Sequence, residues 1–287
     1  MDKDFFIYTI GRLLEEMRRQ THGSTMKHIT KGNFDNMLFP LPPIETQKQI
    51  AKTLDTAAEL LAMRKQQLAE LDNLIKSTFY DMFGDPVTNE KGWETNKLID
   101  ITTKIGSGAT PKGGKESYQD EGISLIRSMN VHKGVFKYDQ LAHIDDEQAK
   151  RLDNVTVRGN DVLINITGAS VARSCIVPND VLPARVNQHV SIIRVKEDKL
   201  NSVYINNVFT SSSFQTQLLA IGGAGGATRE AITKQQLETL IIPLPALPLQ
   251  NQFAEIVTKI EEQKDLVKKA IEETQYLFDS LMSEYFA

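Results

Sequence analysis

The stretch Asn36–Ile50, NMLFPLPPIETQKQI, returns at Thr239–Phe253 as TLIIPLPALPLQNQF. The recurrence extends well beyond the Pro-Leu-Pro. Ile29-Thr30-Lys31 recurs as Ile232-Thr233-Lys234, an offset of 203 residues, and the same offset carries Gln47 and Gln49 onto Gln250 and Gln252. Without a gap it continues through Glu59, Lys65, Glu70, Leu74, Ser77 and Phe83, which meet Glu262, Lys268, Glu273, Leu277, Ser280 and Phe286. It also reaches back to Gly23 and Thr25, which fall on Gly226 and Thr228. Two unrelated surface helices would not share the loops ahead of them, so the chain is built on a repeat.

Each copy reads alike. An apolar extended segment comes first (Met37-Leu38-Phe39, Leu240-Ile241-Ile242). The prolines then hold the backbone out of the helical region. A long helix follows. In the first copy Leu54, Leu61, Leu68, Ile75 and Met82 recur every seven residues, with Ile50, Ala57, Leu71 and Thr78 on the companion position. The second places Val257, Ile271, Phe278 and Tyr285 on one position and Phe253, Ile260, Val267 and Leu281 on the other. These are coiled-coil seams. One cation interrupts each, Arg64 in the first and Lys264 in the second, a device for fixing register. Gln47–Phe83 alone predicts a helix of about 55 Å at 1.5 Å per residue, a spacer rather than an element of a small domain.

Between the repeats the texture changes. Phe83-Gly84-Asp85-Pro86 supplies a helix stop. From Asp85 to Ala231 the chain reads as β-rich, with expected strands at Ser124–Arg127, Asp161–Ile166, Ser174–Pro178 and His189–Val195. Tyr204–Leu219 reads as helix, and the Gly-rich GGAGGATRE leads into the second repeat. The first residues, FFIYTIGRLLEEMRRQTHGSTMKHITK, parallel NNVFTSSSFQTQLLAIGGAGGATREAITK. The expected layout is therefore a domain remnant at 1–28, a helical spacer at 29–84, one complete domain at 85–231 and a second spacer at 232–287. The fold class is α+β, a mixed β-rich domain flanked by two long helices.

Composition sets outer bounds. Of the 287 residues 40% are hydrophobic and 24% charged, ordinary for a globular protein, and the net charge of −4 argues against non-specific coating of nucleic acid. The acid is localised. Asp85–Ala231 carries 17 basic and 17 acidic residues, whereas Ala246–Ala287 carries 4 and 8. The single cysteine, Cys175, allows no intrachain disulfide and no thiolate metal cage, which fits a reducing cytoplasm. Met1 is followed by Asp2, Lys3 and Asp4, which is no signal peptide, and no apolar run is long enough to span a membrane.

This arrangement resembles the DNA-specificity subunit of type I restriction–modification systems, across essentially the whole chain. The residues carrying the match are the paired Ile-Thr-Lys, Pro-Leu-Pro and Gln-X-Gln segments, FYDMFGDP and KIGSGATPK at Lys104–Lys112. LINITGASVAR at Leu163–Arg173, RVNQHV at Arg185–Val190 and GGATREAITK at Gly225–Lys234 complete it. A typical subunit has two complete target recognition domains; this sequence has one. The resemblance implies that the domain reads one half of a split site in double-stranded DNA. It also implies that the two spacers pack as an antiparallel coiled coil that docks modification (methyltransferase) subunits and a restriction subunit. A 55 Å spacer matches about 16 base pairs at roughly 3.4 Å each. It further implies a homodimer, or pairing with another half-subunit, to restore two reading heads. No cofactor is expected in this chain, S-adenosylmethionine being expected on the methyltransferase partner. The alternatives are a coiled-coil protein-interaction scaffold without DNA readout, and a fragment that needs a missing domain in trans.

Residue chemistry nominates the contacts. Lys104, Ser107, Thr110 and Lys112 suit a phosphate strand; without Gly-Lys-Ser/Thr spacing the loop is no nucleotide-binding P-loop. Arg127, Ser128 and Asn130 end an expected strand with base-capable side chains. Thr167, Ser170 and Arg173 form a second loop, Arg185, Asn187 and Gln188 a third, and Thr228 and Arg229 sit in the Gly-rich segment. His189 is read as a satisfied domain histidine. Catalysis finds no motif. The histidines at 22, 28, 132, 143 and 189 show no metal spacing, and neither a Gly-X-Ser-X-Gly elbow nor an Asn-Pro-Pro-Phe/Tyr signature occurs. Asp145-Asp146-Glu147 reads as a helix start and Cys175 as a core strand residue.

Overall fold

Ile44–Phe83 and Leu247–Phe286 are each one uninterrupted helix of 40 residues. They belong to a computed structural model that describes residues 1–19, 29–223 and 231–286. In chain order the helices are α1 (Lys3–Arg19), α2 (Lys31–Asp35), α3 (Ile44–Phe83), α4 (Asp146–Arg151), α5 (Ser202–Thr210), α6 (Ser212–Gly223), α7 (Lys234–Glu238) and α8 (Leu247–Phe286). The strands are β1 (Thr95–Lys97), β2 (Thr102–Ser107), β3 (Ile123–Ile126), β4 (Ala142–Ile144), β5 (Val162–Asn165), β6 (Ser174–Ile176), β7 (Ala184–Val186), β8 (Val190–Val195) and β9 (Ile241–Pro243). Among the described residues no helix is long and apolar enough to cross a membrane.

The chain divides into two compact units, Met1–Asn73 with Glu261–Ala287, and Leu74–Ile260. This division cuts both long helices, unlike the sequence layout that kept each spacer whole. The cause is aromatic packing in the second unit. Phe83, near the end of α3, meets Tyr204 at 4.8 Å and Phe253 at 5.4 Å between ring centroids, and Phe79 meets Phe253 at 5.7 Å. Gly84 then ends α3 in the left-handed region (φ 73°), where only glycine is unstrained.

In the first unit α3 and α8 run antiparallel. Ile50 and Leu54 share a core cluster with Phe286. Further along α3 the Arg64 guanidinium donates to the Ala270 carbonyl and the Thr274 hydroxyl. Further still, Lys264 pairs with Asp72 at 2.7 Å. Each cation that interrupts a seam is thus satisfied by the opposite helix. Burial works against the charge on Lys264, but hydrogen bonds to Asp72 and Glu261 outweigh it and raise its pKa.

The repeated glutamines show what the Pro-Leu-Pro joint does. Gln47 Nε2 donates to the Pro42 carbonyl at 2.6 Å, while its Oε1 accepts the Asp2 N–H at 2.8 Å. In the second unit Gln250 Nε2 donates to the Pro245 carbonyl at 2.7 Å and Oε1 accepts the Asn201 N–H at 2.9 Å. Asp2 and Asn201 head their helices, Oδ1 accepting from Phe5 N–H and Val203 N–H respectively. Three residues beyond each lies a buried ring, Phe5 on Phe286 at 5.3 Å and Tyr204 on Phe83. Proline carbonyls at a bend have no ladder to join, so a side-chain amide is the donor that completes them.

The second unit carries the sheets. β2, β8, β5 and β6 form a four-stranded antiparallel sheet, β4, β3 and β7 a three-stranded one in which β3 and β7 are parallel, and β1 pairs with β9. Leu125, Ile126, Leu163, Val186 and Ile192 fill the core together with Cys175, whose burial pushes its thiol up to about 12. The four expected strands lie within two residues of β3, β5, β6 and β8 at each end. The expected helix Tyr204–Leu219 is two helices, because Ser211 turns extended and its hydroxyl bonds back to the Val208 carbonyl at 2.8 Å. Asp145 caps α4 by accepting the Gln148 N–H at 2.7 Å.

Candidate nucleic-acid interface

One end of the four-stranded sheet gathers most of the loops nominated from sequence. Ser107 at the end of β2 pairs with Ser191, Val190 at the start of β8 with Asn165 at the end of β5, and Ser174 at the start of β6 with Ile164. The loops after β2 (108–113), between β5 and β6 (166–173) and between β7 and β8 (187–189) therefore share that end. The loop after β3 (127–131) joins them, since the Asn187 N–H donates to the Ile126 carbonyl at 3.0 Å. So does Ala231, which bridges to Thr167.

Three buried asparagines fix this geometry. Asn130 is fully buried; its Oδ1 accepts the Arg127 N–H, and its Nδ2 donates to the Lys137 and Asp139 carbonyls. Asn165 Nδ2 donates to the Ser128 carbonyl at 2.8 Å and the Val131 carbonyl at 3.2 Å, pinning the loop after β3 to the end of β5. Asn187 Oδ1 accepts the His189 N–H at 3.1 Å. Its carbonyl accepts the Gly108 N–H at 3.1 Å. A Cβ at Gly108 would stand 1.6 Å from the Val186 carbonyl oxygen, so only glycine allows the loops after β2 and β7 to touch.

Asn130 and Asn187, nominated as base readers, are thus frame residues with almost no surface to offer. Arg185 is one too. It is 8% exposed, donates to the Ala149 and Ala184 carbonyls and pairs with Asp153 at 2.7 Å. Arg127 lies over the Tyr118 ring at 5.2 Å and donates to the Gln140 carbonyl, so its guanidinium is held within the domain. Lys104 sits three residues before the end of β2, about 10 Å from Ser107 along the strand. Its ammonium reaches the Asn154 carbonyl. Burial lowers its pKa, and the charges of Arg194, Arg158 and Lys234 lower it further against the opposing pull of Asp161.

The remaining nominees face out. Ser107, Thr110, Lys112 and Gln188 are exposed, and Thr167, Ser170 and Arg173 are half-exposed. Gln148 brackets the Lys112 backbone, accepting its N–H at 3.2 Å and donating to its carbonyl at 2.8 Å, which leaves the ammonium free to project. Thr167 Oγ1 lies 2.6 Å from His189 Nδ1, and Gln188 Nε2 lies 3.0 Å from His189 Nε2. His189 therefore links two loops, as a domain histidine does. Thr228 and Arg229 lie outside the described residues. Sequence inspection passed over Asn165, Gln148 and Tyr118. Asn165 alone had a signal, a polar residue closing the apolar run Val162-Leu163-Ile164. Among the described residues no group of three or more His, Cys, Asp and Glu could hold a metal ion.

A convergent loop end on a β-rich domain, joined to a long antiparallel helix pair by repeated joints, describes a recognition module. The family model for the type I restriction modification DNA specificity domain matches residues 1–73 and 90–275, and the chain belongs to this family. Two curated relatives are the type I restriction enzyme MjaVIII specificity subunit of Methanocaldococcus jannaschii and the EcoBI specificity subunit of Escherichia coli. The first is 22% identical over 296 residues, covering 99% of this chain and 69% of its own length. The second is 24% identical over 298 residues, covering 94% of this chain and 61% of its own. Among solved structures, an S subunit of a type I restriction–modification system from M. genitalium superposes with a TM-score of 0.63 at 14% identity, over 100% of this chain and 73% of that one. The HsdS subunit of Thermoanaerobacter tengcongensis gives 0.53 at 18%, over 100% and 70%. At such identities the structural likeness is one of fold.

Proposed function

We propose that the chain is a DNA-reading and scaffolding subunit of a type I restriction–modification complex, with its recognition domain at 85–231 reading one half-site in duplex DNA. The observation that carries this reading is the convergence of four loops at one sheet end, framed by buried asparagines and presenting Ser107, Thr110, Lys112, Ser170, Arg173 and Gln188. Lys112 and Arg173 hold phosphates, the hydroxyls position the strand, and Gln188 meets a base edge. Thr167 shapes the surface through His189. The helix pair is the docking element for modification and restriction subunits, where methylation, with S-adenosylmethionine, and cleavage take place. A second recognition domain, from another half-subunit, completes a two-headed reader.

The test is a mobility shift comparing a duplex selected from a random pool with an unselected one, with and without the methyltransferase subunit. Tighter binding of the selected duplex is expected, with the preference altered by Gln188→Ala. Equal affinity for both duplexes in the full complex would sink DNA readout and leave a protein scaffold.

A further inference from the structure

The two copies of the repeat differ in one respect that bears on how a second recognition domain is held. In the second copy β9 is not alone: it pairs antiparallel with β1, with Asn96 opposite Ile242. The Leu98 N–H donates to the Leu240 carbonyl at 2.8 Å, and the Leu244 N–H donates to the Glu94 carbonyl at 2.7 Å. Leu98 and Ile101, which follow β1, are fully buried, as are Leu237 of α7 and Ile242 of β9. Glu94–Ile101 is thus a plug, and α7 with β9 is its socket.

The first copy has the socket without the plug. α2 spans the same five positions as α7 at the 203 offset, and Thr30 caps it as Thr233 caps α7, each hydroxyl accepting a backbone N–H at 3.2 Å. The segment corresponding to β9, Leu38-Phe39-Pro40, has no strand partner among the described residues. Phe34 is 54% exposed where Leu237 is 1%, and Phe39 is 38% exposed where Ile242 is 0%. A cavity of about 340 Å³, lined by residues including Leu13, Asn36, Met37 and Leu38, opens beside it. An apolar segment with an unpaired edge is a template for strand addition.

We infer that Phe34 and Leu38–Leu41 form a preformed socket for the head strand of a second recognition domain, a segment of the Glu94–Ile101 type. This rests on the reading of the chain as a half-complement of recognition domains. A second copy of the same chain does not fill the socket. The described residues hold two sockets and one plug, and that plug already sits on β9, so every added copy brings one more open socket with it. The occupant is the head segment of a recognition domain other than the one at 85–231.

The experiment joins ETNKLIDI to Met1 of the full chain through a flexible Gly/Ser linker of about 15 residues, which sets a millimolar effective concentration. A scrambled octapeptide on the same linker is the control, and amide exchange is followed by mass spectrometry. In the unfused chain Leu41 is expected to exchange freely and Leu244 slowly. The ETNKLIDI fusion should slow exchange at Leu41 at least tenfold, with no change in the scrambled fusion. Unchanged exchange at Leu41, equal slowing by the scrambled segment, or slowing on self-association of the unfused chain would each overturn the inference. The duplex mobility shift, run on the same proteins, reports separately. An open socket with retained duplex preference refutes the socket alone, and a closed socket without preference refutes DNA readout alone.

Discussion

Replacing Gln250 with leucine tests why the Pro-Leu-Pro joint is followed by a glutamine in both copies. Gln250 is fully buried, and its amide serves the Pro245 carbonyl and the Asn201 N–H. Leucine fills much of the volume but strands both groups. A stranded buried group costs about 1–3 kcal/mol; the Pro245 carbonyl is buried, whereas Asn201 is half-buried and regains part of its hydration, so the pair costs about 2–4 kcal/mol. The third partner, the Lys199 carbonyl at 3.2 Å, belongs to an exposed residue and returns to water. Gln47→Leu removes the equivalent bonds, but Pro42 and Asp2 are only half-buried, so solvent replaces the amide and the loss is about 1 kcal/mol. Trp93 is the single tryptophan, and its indole N–H donates to the Phe83 carbonyl at 2.9 Å, inside the second unit. Urea unfolding followed by its fluorescence therefore reports that unit directly. The expected result is a large drop in midpoint for Gln250→Leu and little change in the tryptophan transition for Gln47→Leu, whose effect appears in circular dichroism instead. A loss below about 0.5 kcal/mol at Gln250, or equal losses at both sites, would refute the account of the joint.

Gly108→Ala forces the loops after β2 and β7 apart, and is expected to abolish duplex discrimination while circular dichroism still shows the folded helix pair. Lys112→Ala and Arg173→Ala should each weaken every duplex alike and reduce the salt slope of log affinity by about one, read from mobility shifts at several ionic strengths. Asn130→Ala should instead lower stability by a few kcal/mol, because three backbone groups lose their partner; calorimetry decides between this and a change in base preference. Cys175, its thiol pKa raised by burial to about 12, should resist alkylation at pH 8 until denaturant is added, and reaction within minutes in the native state would contradict its core position. Lys264→Met is expected to change stability by no more than about 1 kcal/mol, since Asp72 and Glu261 are half-exposed and regain water, as helix unfolding by circular dichroism would show.

Sequence period carried the architecture well and the contact chemistry poorly. Short apolar runs revealed β3, β5, β6 and β8, which are buried along nearly their whole length. β2 was hidden by Gly106 and Gly108, which punctuate like a loop, although Gly108 is a glycine for close backbone approach. The break between α5 and α6 was hidden because three serines in a row are neutral by helical period, and only the bond from Ser211 to Val208 decides it. For the interface, residue type names what can touch DNA, but burial decides what does. Asn130, Asn187 and Arg185 have the right groups and spend them on backbone carbonyls and Asp153. Nothing in a linear sequence separates an amide aimed at a base from one aimed at its own loop.

That division between spent and unspent polar groups has a consequence for the whole design. At the joints Gln47, Gln250, Asp2 and Asn201 bond to backbone atoms whose positions the fold requires, so these residue types are dictated by structure. At the sheet end the frame asparagines are dictated in the same way, while the exposed side chains of Thr110, Lys112 and Arg173 make no bond the fold depends on. Substitution at the exposed set should therefore change stability by no more than about 0.5 kcal/mol, and such changes should add, because these residues share no internal partner. Recognition can then be rewritten without disturbing the joints, whereas a change at a joint reaches both the fold and the placing of the head. A triple replacement of Thr110, Lys112 and Arg173 that unfolded the second unit would show that the loops are part of the frame after all.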